Sequence, residues 1–390
     1  MKIAIVNNFF LPRPGGSSIF SYSMAREFVK QGHEVLVLTA AYRNQPDHEI
    51  IEGIRVLRVP AWTMPATSMS FNFDINFALL PGNGFRVRRI LEDFEPDVIH
   101  AHGQFFDLSW KALRWARNHS VPVVLTLHTR LVSTERLPAR IFSLLDRVVV
   151  VPMLRRGRVD VMVIIDKTFK AYAHHRYSKI TTSLAEIPIS VDWENFGGHT
   201  RSRSASESNV IASIGHVISV RNRLDLVRAM PRVLEKYPDV RVRVVGHIYH
   251  SKFLEEIDRL NLGHAFDNIG AVSREEVPRL LAESALEIHD TQGFGIGIAT
   301  LEAMAMGIPV VISDDCDYFL VDSLRHKRDC YVIAPNCPDE LAEAILWYFA
   351  DQERMKNVGL AGRDFVFRNL RQDIVALKYI NLFKTLLAEC

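Results

Sequence analysis

The sequence predicts an α/β protein built from two doubly wound halves, and three observations carry that expectation. Short Val/Ile-rich runs alternate with segments of helical periodicity, a Ser/Arg/Gly-rich stretch interrupts this rhythm once, and the rhythm then restarts. A length of 390 residues suits about two domains of ordinary size, each with its own core.

In the first half the predicted strands are Lys2–Val6, Glu34–Thr39, Arg55–Val59, Val98–His100, Val121–Thr126 and Val161–Ile165. Several are apolar at every position, as strands covered on both faces are. Between the first two, Ser18–Gln31 repeats its apolar residues at helical spacing and ends before Gly32, a residue suited to a C-cap. Residues 1–196 are therefore expected to form one Rossmann-like domain. The stretch 197–209, GGHTRSRSASESN, has no apolar period and reads as a linker. A second domain is expected over 210–371, with strands at Val210–Ile214, Val240–Val245, Asp267–Ile269, Leu286–His289, Pro309–Ser313 and Tyr331–Ala334. Gln372–Leu387 predicts a long terminal helix, so 372–390 is expected to pack back on the first domain through Ile374, Leu377, Ile380, Leu382, Phe383 and Leu386. Open sheets of this kind take ligands at the carboxyl ends of their strands, so a cleft faced by both halves is the expected site.

Composition narrows the class. Hydrophobic residues at 48% and charged residues at 24% describe a globular chain and not a disordered one. With 47 basic against 45 acidic residues, a net charge of +2 supplies no general attraction to nucleic acid. Cys316, Cys330, Cys337 and Cys390 contain no CxxC pair and read as reduced thiols, and no His/Cys/Asp/Glu spacing suggests a metal site. The apolar start, Met1–Val6, is too short for a signal-peptide core, and no run reaches the roughly 20 apolar residues of a spanning helix. A cytoplasmic protein is expected.

Five passages carry chemistry: PRPGGSS (12–18), VIHAHG (98–103), VVLTLHT (123–129), EIPISVDWENF (186–196) and GIGIATLEAMAMGIPVV (295–311). Gly15-Gly16 follows the first strand and opens the first helix. By itself it is either a turn or a place where backbone N–H groups approach a phosphate. His128 ends a strand, where a histidine serves a site or merely satisfies a strand terminus. His100 and His102 sit similarly: His100 reads as structural, and His102 either packs or lines the acceptor side. Gly295-Ile296-Gly297 precedes a helix expected near Thr300 and offers a second N–H cradle. Glu302, expected in that helix's first turn, either complements the helix dipole or accepts bonds from vicinal hydroxyls.

Together these passages resemble glycosyltransferase family 4, whose architecture, GT-B, sets two Rossmann-like domains facing across a cleft. The resemblance implies a retaining, metal-independent transferase that needs no cofactor beyond a nucleotide-sugar co-substrate, above all a UDP- or GDP-sugar. It makes Gly15, Gly16, Gly295, Ile296 and Gly297 contacts of the donor diphosphate, Glu302 the ribose partner, and His128 the catalytic residue that meets the transferred sugar. Two departures stand out. Of the family's two glutamates separated by seven residues, the first is replaced by Phe294, which can stack on a sugar but accepts no hydrogen bond. Where the family has Gly-Arg and then Lys, this chain has His216 and Arg221, so that charge at His216 requires protonation. These departures keep a second reading open, a non-catalytic relative that binds a nucleotide sugar as scaffold or regulator. A nucleotide-sugar epimerase of the same architecture is a third.

Residues 130–158 combine arginines at 130, 136, 140, 147, 155, 156 and 158 with Leu, Ile and Val. Lipid-modifying members of the family, including phosphatidylinositol mannosyltransferases, touch membranes through such patches. The expectation is peripheral contact with an anionic membrane and an acceptor that could be lipid or glycan. The alternative is a buried helix with a solvated arginine face.

Overall fold

The computed structural model describes residues 1–13, 15–65, 74–130, 136–181, 183–198, 208–218, 221, 223–288, 296–313 and 324–389. The chain divides into two compact units, Met1–Ser190 with Gln372–Cys390, and Val191–Arg371.

Among the described residues the first unit holds ten strands: β1 (Lys2–Val6), β2 (Glu34–Ala40), β3 (His48–Ile51), β4 (Ile54–Val59), β5 (Trp62–Met64), β6 (Ile75–Phe77), β7 (Val98–His102), β8 (Val123–Thr126), β9 (Val161–Ile164) and β10 (Leu184–Glu186). Eight of them form one sheet in the order β10-β9-β8-β7-β1-β2-β4-β3. All neighbours are parallel except β3, which runs antiparallel to β4. The order reverses between β1 and β7, and this switch point leaves an open crevice beyond the carboxyl ends of the strands. The predicted strands are all present. The short elements β3, β5, β6 and β10 escape sequence reading because three- or four-residue edge segments are too brief and too polar to show a period.

The terminal helix Gln372–Ala388 belongs to this unit. Its Val375, Tyr379, Ile380 and Phe383 lie in one core with Ile3, Ile5, Phe20 and Phe28, and Phe28 meets Phe383 edge-to-face at 5.7 Å. Burial of large side chains of this kind stabilises by roughly 1.5–3 kcal/mol each, so the helix is part of the domain's core rather than an appendage.

The second unit repeats the plan with β11 (Val210–Ile214), β12 (Arg241–Val245), β13 (Phe266–Gly270), β14 (Leu286–Ile288), β15 (Val310–Ser313) and β16 (Tyr331–Ile333), all parallel, in the order β13-β12-β11-β14-β15-β16. Its switch point lies between β11 and β14. The division after Ser190 falls six residues before the expected boundary at 196. The physical reason is local: Val191 donates its N–H to Leu370, Trp193 packs edge-on against Phe367 at 5.0 Å, and Arg363 donates to the Gly197 carbonyl. Residues 199–207 of the expected linker, together with His289, Cys316 and Cys390, lie outside the described residues.

The basic segment is helical over Arg136–Leu145, turns through a π-helix at Asp146–Val150 and resumes as Val151–Arg155. One face is buried and the arginines at 140, 147, 155 and 156 are exposed, as the alternative reading expects, but apolar side chains are exposed too. Leu137, Leu144 and Val148 are 69%, 61% and 59% exposed, while Phe142, Asp146, Val150 and Leu154 face inward. The Asp146 carboxylate accepts from Tyr177 at 2.8 Å and Tyr172 at 3.3 Å, tying the π-turn to the helix Lys167–Tyr177. No helix among the described residues is long and apolar enough to cross a membrane.

Candidate active site

In the first unit the site grows from the carboxyl ends of β1, β7 and β8. Gly15 has φ of +149°, a conformation that an L side chain resists, and it caps the helix Gly16–Lys30 without a side-chain bond. The first-turn N–H groups of that helix therefore remain available to a ligand. His102, the last residue of β7, and His128, two residues beyond β8, meet there: His102 Nδ1 and His128 Nε2 are 2.8 Å apart, with ring planes within 13°. Phe20 lies edge-on to His128 at 5.4 Å. Behind them His100 Nε2 bonds Thr126 Oγ1 at 2.9 Å, and Thr126 bonds the Tyr379 hydroxyl at 3.0 Å.

In the second unit the helix Ile298–Ala305 begins after Gly297, which carries no side-chain cap, and Ile296 is buried just before it. Because the helix starts two residues earlier than expected, Glu302 lies in its second turn and not its first, too deep for the dipole explanation. Glu302 is 3% exposed, and Arg274 Nη2 donates to its Oε1 at 2.7 Å. Its Oε2 accepts no hydrogen bond among the described residues. At the end of β11, Gly215 and Gly246 cross so closely that a Cβ on Gly246 would stand 2.5 Å from the Gly215 carbonyl oxygen. That approach brings His216 beside His247, whose backbone N–H donates to His216 Nδ1 at 2.9 Å; the two rings stack at 5.3 Å. Arg221 is half-buried in the turn that comes next, its N–H bonded to the Ile218 carbonyl.

Two family models together match most of the chain. Residues 15–182 match the family model "Glycosyl transferase 4-like domain", and residues 199–365 match "Glycosyl transferases group 1". The chain belongs to the family 4 glycosyltransferases. This glycosyltransferase is 26% identical over 362 residues to a phosphatidylinositol N-acetylglucosaminyltransferase polypeptide of Arabidopsis thaliana, covering 88% of this chain and 73% of that one. It is 25% identical over 367 residues to a GDP-mannose-dependent alpha-(1-6)-phosphatidylinositol dimannoside mannosyltransferase of Mycobacterium tuberculosis, covering 91% and 89%. Among solved structures, the sucrose-phosphate synthase of Thermosynechococcus elongatus superposes with a TM-score of 0.79 at 18% identity, covering all of both chains. Anabaena HepE in complex with UDP and glucose does so with a TM-score of 0.74 at 17%, covering 99% of this chain and all of that one. These likenesses make the fold GT-B.

Electrostatics corrects two of the sequence expectations for this glycosyltransferase. His102 is fully buried, so it does not line an acceptor surface; it stands behind His128 and touches the site only through it. His216 is not a substitute charge. Burial and then the neighbouring His247 and Arg223 lower its pKa, and protonation at Nδ1 would break the bond from the His247 amide. With its pKa lowered in this way, the ring is neutral at neutral pH. Burial lowers the pKa of His128 to about 4, and burial raises that of Glu302 to about 7 against the opposing pull of Arg274. Phe294 and Gly295 lie outside the described residues. Arg274 is the residue that sequence reading missed: it lies 28 positions from Glu302 in a polar turn, and nothing in its own neighbourhood marks it.

Proposed function

We propose that this glycosyltransferase moves a sugar from a nucleoside diphosphate to an acceptor hydroxyl with retention at the anomeric carbon. The observation that carries the reading is Glu302, a buried carboxylate with one oxygen held by Arg274 and the other open. A carboxylate so placed suits the vicinal hydroxyls of a ribose, because charge-assisted bonds inside a low-dielectric site are strong. The uncapped helix start at Gly297, Arg221 and the neutral His216 are assigned to the diphosphate. The helix start at Gly16 is a further N–H cradle for it. His128 is assigned to the transferred sugar, where a fixed donor stabilises developing charge. No protein nucleophile is invoked.

The test is thermal-shift binding with UDP, GDP, ADP and their sugars, on the wild type and on Glu302→Ala. The expected result is a shift with one nucleotide class that the substitution weakens by about 1.5–3 kcal/mol for the lost charged bonds. Product anomers read by NMR then decide retention. Absence of any nucleotide shift would defeat the reading, and donor binding without transfer or hydrolysis would leave only a nucleotide-sugar-binding role.

The acceptor is proposed to be a lipid at an anionic membrane. Leu137, Leu144 and Val148 are exposed beside Arg140, Arg147, Arg155 and Arg156, a pairing of apolar and basic groups that suits an interface. Two of the relatives carry phosphatidylinositol in their names. Flotation with vesicles containing anionic lipid should carry the protein upward, and Leu144→Glu with Val148→Glu should abolish this. Equal recovery with neutral vesicles would dismiss the anionic surface.

A further inference from the structure

The bond between His102 and His128 has a proton on one side only, and the surroundings decide which. Were His128 Nε2 the donor, His102 Nδ1 would accept. Neutral His102 would then carry its hydrogen on Nε2, an atom buried with no partner among the described residues. Were His102 Nδ1 the donor, the same Nε2 would be a bare lone pair. Among buried backbone groups an N–H without an acceptor is rarer than an under-used carbonyl, and the same preference applied to the ring leaves Nε2 as the bare atom. A doubly protonated His102 is opposed by burial and by the adjacent rings of His100, at 4.2 Å, and His128.

We propose that His102 is a positioning residue that donates from Nδ1 to His128 Nε2 and thereby fixes His128 as its Nδ1–H tautomer. The chemistry changes in three ways. His128 presents a donor, from Nδ1, which makes no hydrogen bond with any described residue. Its only lone pair is taken by His102, so it cannot serve as a general base. Its ring is also held in plane by the same bond, with Phe20 against it, so the donor is aimed before any substrate arrives. The use of that donor on an oxygen of the transferred sugar rests on the function proposed above; the tautomer itself does not.

The experiment reads the tautomer directly. The full chain is labelled with ¹⁵N-histidine and long-range ¹H–¹⁵N spectra are recorded without any nucleotide, His128 being assigned by the signal lost in His128→Gln. The expected pattern for His128 is a protonated Nδ1 and a bare Nε2. The reverse pattern, or an even mixture, overturns the proposal without any assay of transfer. Two variants then separate positioning from packing. His102→Asn keeps an amide N–H where Nδ1 stands and should preserve the His128 tautomer and most of the transfer rate. His102→Leu should release the tautomer and lower kcat on the order of 100-fold, as removal of one aimed donor does, while nucleotide affinity stays unchanged. Equal loss in both folded variants, or an unaltered His128 signal in His102→Leu, would also overturn it. If the tautomer is as expected but the wild type transfers no sugar, it is the proposed function that fails.

Discussion

Glu302 and His216 show how burial sets the chemical form of a side chain more than its identity does. With a pKa of about 7, Glu302 is close to half protonated at neutral pH. Hydroxyl donors favour the carboxylate form, so nucleotide binding should pull the proton off. Affinity should rise with pH through 7. Calorimetry at that pH, in two buffers of different ionisation heat, should reveal release of up to about half a proton. No buffer dependence would mean that Glu302 does not meet the ligand. Burial, and then the neighbouring His247 and Arg223, lower the pKa of His216, so it has little proton to release there. His128 and Glu302 were legible as site candidates because each sits inside a matching motif. Arg274, the burial of His102 and the neutrality of His216 were not, because each depends on a partner brought close only by folding.

The π-turn at Asp146–Val150 is the element whose behaviour a local reading could least foresee. One additional residue per turn rotates the helix beyond it, so that Val150 and Leu154 stay on the inward side with Phe142 and Asp146 while Val148 is left in solvent. Burial raises the Asp146 pKa, and the Tyr177 and Tyr172 hydroxyls together with Arg176 at 3.7 Å counter that cost. Tyr177→Phe removes the shortest of these contacts and should destabilise the first unit by about 1–3 kcal/mol, measured as a lowered urea midpoint at constant slope. If vesicle binding survives this substitution while stability falls, the apolar and basic face binds independently of its anchor. A helical, basic and apolar stretch was evident from residues 130–158. Which of its apolar residues would be exposed was not, since an α-helical period carried across a π-turn assigns the wrong face.

The two units should answer acid differently. In the first, burial depresses His128 to about 4 and His100 to about 3, with His102 and His33 also lowered, while Asp146 is the one carboxyl group raised among the described residues. Below the ordinary histidine value near 6.5 the unfolded chain binds protons that the folded unit refuses, so stability is lost as pH falls from about 6.5 toward 4. In the second unit Glu302 has the opposite sign: its raised pKa gives stability that is full below about 4.5 and lost as pH rises through 7. It partly offsets the lowered His216, His250 and His326. Calorimetry at pH 7 and pH 5 should therefore show the first unit's melting transition moving down more than the second's. Parallel shifts would contradict the burial of the three histidines as neutral groups.

Much of this protein is determined by sequence alone. Apolar runs long enough to be covered on both faces predicted the interior strands of both sheets, and glycines at strand-to-helix turns marked where helices follow to within about two residues, because these features depend on neighbours within a few positions. The family emerged from motifs whose spacing along the chain is itself the signal. Tertiary structure decided the rest. It placed Tyr379 behind His100, Arg274 on Glu302 and His102 behind His128, pairs drawn from positions 26 to 279 residues apart. Solvent access and proton position belong to such pairs, and not to either residue, so they exist only once the sheets and the terminal helix have closed around them.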